Sequence, residues 1–439
     1  MSGPLLAALS FPIMLALMAL RMPVGLAMFA VGGIGYVLLT DWMPFLYYIK
    51  STPYYLFSNY TLSVIPLFIL MGALAEQGGL SQRLFAAADA FIGHRRGGIA
   101  MAAIGACTAF GAICGSSVAT TAAMGRAALP ELRRYGYADR LSTGTLAVGG
   151  TLGILIPPSI ILIVYAITTE QNISKLFMAA LIPGLLAACF YLLAIAWTVR
   201  RDPRAGPAGR RMSGTERWRA FIQVWPILLI AVVVVGGIYG GVFTPTEAAA
   251  VGAIATLLLG LANRKLGWEG IKASLLRTAE TSAMIFLILL GAEVFNAFLA
   301  LSDLPTAVAG LIVGAGLPPY AVLVALLLFY VVLGGVMDEL AMILLTLPVF
   351  FPVVMSLDFG LGPEQTAIWF GILVLIIVGI GLTAPPIGLN VFVINAIAKD
   401  VPITVTYRGV LPFLVTDFLR LGLVIVFPGL ALALVRLLS

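Results

Sequence analysis

Two Pro-Pro pairs inside apolar segments are the residues of this sequence best suited to chemistry. They stand in GTLGILIPPS and GIGLTAPPIG, at positions 157–158 and 385–386. Because proline has no backbone N–H, each pair leaves carbonyl groups one turn earlier without a partner in the helix. Such carbonyls are hard oxygen ligands that suit a small cation such as Na⁺. The two segments therefore predict two cation sites made largely of backbone oxygen.

Both segments repeat one spacing, and each has a nearby turn rich in small residues. Serines at the first turn and glycines at the second, together with a threonine of the second segment, complete the expected oxygen shells. We expect the first Na⁺ site to comprise Ser116, Ser117, Gly153, Ile156 and Pro158. We expect the second to comprise Gly334, Gly335, Gly381, Thr383, Ala384 and Pro386.

The helices that resume after each Pro-Pro pair present unpaired N–H groups and a positive dipole end, which favour a nearby anion. The substrate predicted by this pattern is an anion. Ser117, Thr120, Thr121 and Asn390 are the expected hydrogen-bond partners. The alternative is that each bonds only to the backbone of its own helix.

Ionisable residues within the apolar segments are few and are candidates for function. Asp338 either contacts substrate or cation, or accepts hydrogen bonds from turn amides, and Glu339 beside it either caps the helix or forms a pair. Glu293 suits a proton-coupled role or a contact with a neighbouring subunit. Asp417 and Arg420 stand three residues apart, so we expect them to pair on one helix.

The composition places these residues inside a lipid bilayer. The chain has 439 residues, of which 61% are hydrophobic and 10% charged, whereas soluble domains carry about 25% charged residues. A span needs about 20 apolar residues, and the apolar runs predict ten crossings and two hairpins. The net charge of +6 comes from short loops, where basic residues mark the cytoplasmic side. We therefore expect no nucleic-acid partner.

The two interrupted segments that do not span the bilayer enter it from opposite sides. Residues 97–125 have basic residues on both flanks, so both ends should face the cytoplasm. Residues 320–353 lie in a stretch without any Lys or Arg between Arg277 and Lys399. We therefore expect two re-entrant hairpins of opposite orientation.

The two halves of the chain repeat the same order of motifs with opposite flanking charge. We predict an all-α polytopic membrane protein with two inverted repeats, each of five spans and one re-entrant hairpin. The first repeat covers residues 1–198 with a broken helix at 141–168, a cytoplasmic linker covers 199–222, and the second repeat covers 223–439 with a broken helix at 367–397. Inverted repeats with broken helices are typical of secondary transporters. The alternative is that the glycines only let helices pack closely.

The motifs FGAICGSSVATTAAMG, GTLGILIPPS, IPGLL and GIGLTAPPIGLN, in this order, resemble the large membrane subunit of tripartite ATP-independent periplasmic (TRAP) transporters, the DctM-like family. The resemblance covers essentially the whole chain. It implies an elevator-type, Na⁺-coupled importer in the bacterial inner membrane and the two Na⁺ sites named above. It also implies an organic anion delivered by a periplasmic substrate-binding protein, and a separate small four-helix membrane subunit, DctQ-like.

Several alternatives stay open at this point. The first is a stand-alone dicarboxylate or ion/anion transporter of the same architecture that needs no binding protein, and another is a passive channel. The chain shows no Ser-His, His-Glu or paired-Asp arrangement suited to catalysis, so we expect no enzyme activity and no cofactor beyond Na⁺ as coupling ion. Dicarboxylates, sugar acids, sialic acid and keto acids all fit the predicted hydroxyl and amide contacts.

Overall fold

The computed structural model describes residues 2–335 and 337–438, and over these residues the chain is helical. Apart from one 3₁₀ turn at Tyr60–Ser63, all regular structure in this part is α-helix. The predicted all-α class is confirmed.

The first half contains ten helices, several of which begin or end at Gly, Pro or an Asn or Ser cap. They are α1 (Gly3–Ala19), α2 (Val24–Leu39), α3 (Trp42–Phe57), α4 (Val64–Gln77), α5 (Leu80–Ile92), α6 (Gly98–Cys114), α7 (Ser117–Arg134), α8 (Asp139–Leu155), α9 (Ile160–Thr168) and α10 (Ile173–Arg201).

The second half follows a similar order. Its helices are α11 (Gly214–Tyr239), α12 (Pro245–Ala262), α13 (Trp268–Leu301), α14 (Leu304–Gly314), α15 (Pro319–Gly334), α16 (Glu339–Met355), α17 (Pro363–Gly381), α18 (Leu389–Ile397), α19 (Ile403–Val426) and α20 (Gly429–Leu438).

The predicted hairpins and broken helices correspond to pairs of these helices. Residues 97–125 fall on α6 and α7, and residues 320–353 on α15 and α16, although position 336 in the second turn lies outside the described residues. The segment 141–168 is α8 followed by α9, and 367–397 is α17 followed by α18.

Many of these helices are long and apolar enough to cross a bilayer. By length and composition seven qualify in the described part, or eight if α8 and α9, which meet at a bend of 43°, count as one span. Six shorter apolar helices accompany them. Protein covers 89% of the apolar window of α17 but 28% of that of α11, so α17 lies centrally and α11 faces outward. The number of ten crossings and the boundaries of the repeats stay predictions.

The contacts between helices are repeated when each helix is replaced by its counterpart in the other half. Helix α2 packs against α13 as α12 packs against α4, and α1 contacts α14 as α11 contacts α5. Similarly, the contact of α7 with α18 corresponds to the contact of α16 with α9. We call α2, α4, α12 and α13 the frame helices, and α6 to α9 with α15 to α18 the core helices.

Glycines allow the frame helices to approach closely. A Cβ atom placed on Gly291 would lie 2.1 Å from the carbonyl oxygen of Gly25, and one on Gly32 would lie 2.6 Å from the Cα of Phe295. Because backbone cannot yield as a flexible side chain does, a larger residue here would separate α2 from α13.

Three helices were not expected from hydropathy, namely α3, α5 and α14. Helix α5 is amphipathic and buries Leu80, Leu84 and Phe85 on one face, so its average hydropathy does not mark it as a span. Hydropathy predicts one continuous span at about 405–436, yet this segment divides into α19 and α20 at Phe427 and Pro428. The proline cannot donate the backbone hydrogen bond that would continue α19.

Asp417 and Arg420 form the expected pair inside the protein. The Arg420 Nη2 atom lies 2.9 Å from the Asp417 Oδ1 atom, and both side chains are almost fully buried. The Tyr191 hydroxyl donates to the same carboxylate at 2.9 Å. Since Tyr191 lies on α10, this network joins α10 to α19.

Candidate functional site

The first broken helix exposes carbonyl groups at its break. Helix α8 ends at Leu155, and Ile156 is extended with φ −93° and ψ 121°. Pro157 and Pro158 cannot donate to the carbonyls of Gly153 and Ile154 four residues earlier. Helix α9 then resumes after Ser159, whose side chain caps it by accepting from the Leu162 N–H.

The tip of the first hairpin lies directly against this break. The Ile160 N–H donates to the Gly115 carbonyl at 3.3 Å. A Cβ atom on Gly153 would lie 2.6 Å from the Ser116 carbonyl oxygen, and one on Gly115 would lie 2.9 Å from the Pro158 carbonyl oxygen. The structure therefore brings the hairpin tip and the break together, as the sequence predicted for the first site.

Buried hydroxyl groups without partners line the contact between α7 and α8. Thr120 and Thr121 are fully buried, and neither hydroxyl has a hydrogen-bond partner among the described residues. A Cβ atom on Gly153 would lie 2.4 Å from the Thr120 Oγ1 atom, and one on Gly150 would lie 1.7 Å from the Thr121 Oγ1 atom. A buried hydroxyl without a partner is costly, which favours a bound group here.

Asn390 joins three core helices at the same place. Its Nδ2 atom donates to the Ser117 hydroxyl at 2.8 Å and to the Ala147 carbonyl at 3.1 Å. Its Oδ1 atom is buried and has no hydrogen-bond partner among residues 2–335 and 337–438. The alternative that Asn390 bonds only to the backbone of its own helix does not hold, because both acceptors lie on α7 and α8, and its predicted contact with the substrate stays a prediction.

The second half repeats this arrangement with a longer break between α17 and α18. A Cβ atom on Gly334 would lie 3.0 Å from the Cα of Gly381, and one on Gly335 would lie 2.7 Å from the Cδ of Pro386. Pro385 cannot donate to the carbonyl of Gly381. The second hairpin tip and its broken helix therefore also meet, and Ala384 stands within the break, between α17 and α18.

Polar side chains at the second site are largely satisfied within the chain. The Thr383 hydroxyl donates to the Ile380 carbonyl at 3.1 Å, which leaves its lone pairs available. The Asp338 carboxylate accepts from the Leu340 and Ala341 N–H groups at 3.0 and 3.1 Å. Of the two roles considered for Asp338, the structure shows the turn-amide role. The Glu339 Oε2 atom is buried and finds no hydrogen-bond partner in the part of the chain that the structure describes.

A cavity of about 400 Å³ lies between both hairpin tips and two frame helices. The tips contribute Ser116, Asp338 and Glu339, among others. The frame contributes Ile69, Gly72, Ala73 and Glu76 from α4, and Arg277, Thr281, Met284 and Ile285 from α13. The cavity thus lies at the boundary between frame and core, and Ser116 of the first predicted cation site is on its wall.

Glu76 and Arg277 in this cavity were not expected from the sequence. The Glu76 carboxylate pairs with Arg277 of α13 and with Arg126 of α7. The Glu76 side chain is only 10% exposed, compared with 53% for Arg126. The sole sequence signal was that Glu76 is an acid near the end of an apolar run.

This geometry suits a monovalent cation bound next to an anion. The available donors are carbonyl, hydroxyl and amide oxygens, which are the ligands that a hard cation prefers. The unpaired oxygens of Thr120, Thr121 and Asn390 fit such a group at the first site. The adjoining cavity has Arg277 on its wall beside three carboxylates, and this guanidinium, although paired with Glu76, has further N–H donors that suit a carboxylate.

Comparisons with known proteins identify the family of this chain. The family model for the DctM component of tripartite ATP-independent periplasmic transporters matches residues 11–430. The C4-dicarboxylate TRAP transporter large permease protein DctM of Pseudomonas aeruginosa is 39% identical over 379 residues, which is 86% of each chain. Its namesake from Rhodobacter capsulatus is 34% identical over 460 aligned positions, covering 99% of each chain.

A solved structure supports the fold alone. The YdaH transporter of Alcanivorax borkumensis superposes with a TM-score of 0.61 at 15% identity, covering 94% of this chain and 98% of that one. The family match and the relatives make this chain a multi-pass protein of the inner membrane and a large permease subunit. The chain belongs to the DctM component family of tripartite ATP-independent periplasmic transporters.

Proposed function

We propose that this permease imports an organic anion in symport with Na⁺. The observation that carries the proposal is the contact of each hairpin tip with the broken helix of its own half. In the first half this contact also holds buried hydroxyls without partners. When bound there, Na⁺ would satisfy these oxygens and fix the tip in place, which links cation binding to the shape of the cavity.

The first Na⁺ site in this proposal comprises the carbonyl oxygens of Ser116, Gly153, Ile156 and Pro158 with the Ser117 hydroxyl. The unpaired hydroxyl of Thr120 adds a further oxygen. The second site comprises Gly334, Gly335, Gly381, Thr383, Ala384 and Pro386. Unpaired backbone carbonyls at breaks inside the membrane are stable only where another group satisfies them.

We propose an elevator mechanism in which the core helices move across the membrane relative to the frame helices. The position of the cavity at the boundary between the two groups of helices supports this mechanism. The inverted packing of the halves supports two arrangements of similar energy, one open to each side. No catalytic step is needed, so the proposed activity is transport alone.

The substrate of this proposal is an anion with at least one carboxylate. The cavity presents the Arg277 guanidinium, the hydroxyls of Ser116 and Thr281, and the N-terminal end of α16. Because two relatives are named for C4-dicarboxylates, these are the first substrates to test.

The family name describes a tripartite system, and we propose two partners for this chain. One is a small four-helix membrane subunit, and the other is a periplasmic protein that delivers the anion. The outward-facing apolar surface of α11 is compatible with a membrane partner.

An omission experiment tests this assignment. The permease is reconstituted into vesicles with the small subunit and the binding protein encoded beside it, and then with each partner left out. We expect uptake of the anion only when all three are present. Uptake by the permease alone would support the stand-alone transporter instead.

A further inference from the structure

The ion pair between Glu76 and Arg126 connects the frame to the core. Glu76 lies on α4, a frame helix, and Arg126 lies on α7, a core helix. Among the ion pairs of residues 2–335 and 337–438, this one alone joins a frame helix to a core helix.

A second arginine fixes the frame side of this contact. Arg277 of α13 pairs with the other carboxylate oxygen of Glu76, and α4 packs against α13. The carboxylate is therefore held in place by the frame itself, and its side chain is largely shielded from water. An ion pair with a shielded, pre-oriented acceptor is stronger than one between two mobile surface groups.

The position of the cavity shows where the core helices lie relative to the frame helices when Glu76 and Arg126 are paired. The residues of α4 that line the cavity run from Ile69 toward the C-terminal end of the helix, which the basic residues place at the cytoplasm. The lining residues of α13 run from Arg277 to Ile285, which is the half of that helix nearer the cytoplasm. The hairpin tips are therefore level with the cytoplasmic halves of both frame helices. The core helices are displaced toward the cytoplasm.

The second hairpin has no cation equivalent to Arg126. Between Arg277 and Lys399 the chain contains no Lys or Arg, so the second hairpin cannot supply a counterpart of Arg126. Moving α7 along α4 by more than the length of a side chain would separate Arg126 from Glu76, and the second hairpin would form no substitute pair.

We propose that Glu76 and Arg126 form an ionic latch that holds the empty transporter with its cavity toward the cytoplasm. This inference rests on the proposed sliding of the core helices. The latch biases the equilibrium between the two arrangements, and loading of anion and Na⁺ must overcome it. It thereby limits the fraction of empty carriers that wait on the outer side.

The test measures which side of the membrane the cavity faces. A reporter cysteine replaces Thr281 on the cavity wall in a background where the exposed Cys189 is changed to Ser. The reaction rate with an impermeant thiol reagent is compared between intact cells and inverted membrane vesicles, without substrate. The background without Thr281→Cys gives the contribution of Cys107 and Cys114.

We expect the reporter to react faster from the cytoplasmic side. Arg126→Gln should lower the ratio of cytoplasmic to outer reaction rates by roughly fivefold or more, the lower range of typical conformational couplings. Arg126→Lys should keep the ratio close to that of the parent. The matched control is Arg134→Gln, which removes the same charge from the same helix, because the ion pair that Arg134 forms in the described part of the chain is with Glu131 of α7 itself.

An unchanged ratio in Arg126→Gln, or an equal shift in Arg134→Gln, would overturn the latch. If Arg126→Gln does not assemble, Glu76→Asp shortens the acceptor while keeping its charge and should shift the ratio in the same direction. Anion uptake driven by Na⁺ in the parent reports separately on the proposed function. The labelling ratio therefore decides the latch even if that uptake is absent.

Discussion

At the scale of single residues, the unpaired hydroxyl of Thr120 gives the sharpest test of the first cation site. Thr120→Val keeps the shape of the side chain and breaks no hydrogen bond within the described chain. We expect the stability of the variant without Na⁺ to equal that of the parent. In the parent, Na⁺ at a hundredfold excess over its Kd should add about 2.7 kcal/mol to the free energy of unfolding, and the variant should gain less. Thermal unfolding of the purified chain with and without Na⁺ measures both quantities.

The control for Thr120 is Thr256→Val. Thr256 is also fully buried with an unpaired hydroxyl, but it lies on frame helix α12. It should leave the Na⁺ effect intact. Equal Na⁺ stabilisation in Thr120→Val and the parent would remove Thr120 from the site.

Asn390 has a structural role that can be separated from cation binding. Asn390→Ala leaves the Ala147 carbonyl and the Ser117 hydroxyl without their donor, which should lower the free energy of unfolding by about 1–3 kcal/mol. Gln223→Ala, at an exposed position of α11, should change it little. Unfolding experiments in detergent compare the two, and equal stability would argue against the bridge.

Residue-level prediction succeeded where the backbone itself carries the signal. Pro157 and Pro385 reveal missing donors wherever the chain folds, so the break carbonyls were predictable. Glu76 and Arg277 are 201 positions apart. In the sequence, each resembles the charged residues that commonly flank the end of a membrane-spanning helix. Only the packing of α4 against α13 places them in one cavity.

At the scale of helices, the break between α8 and α9 should be required for the Na⁺ response. Replacing both Pro157 and Pro158 by Ala restores two backbone donors, so the carbonyls of Gly153 and Ile154 can bond within a continuous helix. We expect Na⁺ stabilisation to be lost while the chain still assembles. Size-exclusion chromatography and the Na⁺-dependent unfolding shift are the measurements.

Pro183 provides the matched control for that double variant. It lies inside the continuous helix α10, so Pro183→Ala changes the same residue type without closing a break. It should retain the Na⁺ response. A full response in the variant with both alanines would show that the break carbonyls do not bind the cation.

The positions of most helices followed from hydropathy and charge, because each span must bury about one bilayer thickness of apolar side chains. Helix α5 could not be found in this way, since only one of its faces is buried. Hydropathy also predicts a span only at about 281–299, which is shorter than α13. This helix begins at Trp268, in a segment whose charged residues resemble a loop.

At the scale of the whole molecule, the frame helices and the core helices form two groups with a cavity between them. The exchange of contacts between halves explains how one order of motifs, used twice, builds two similar contacts between a hairpin tip and a broken helix. Sequence could predict the repeat but not the boundary cavity, because that boundary is formed by helices from both halves.

The most direct measurement of the central claim is anion uptake into vesicles that contain the permease with both partners, under an imposed Na⁺ gradient. An equal K⁺ gradient, and Na⁺ at equal concentration on both sides, serve as controls. The account predicts accumulation of the anion above its outside concentration only when Na⁺ is higher outside. Accumulation that is the same in all three conditions would contradict it.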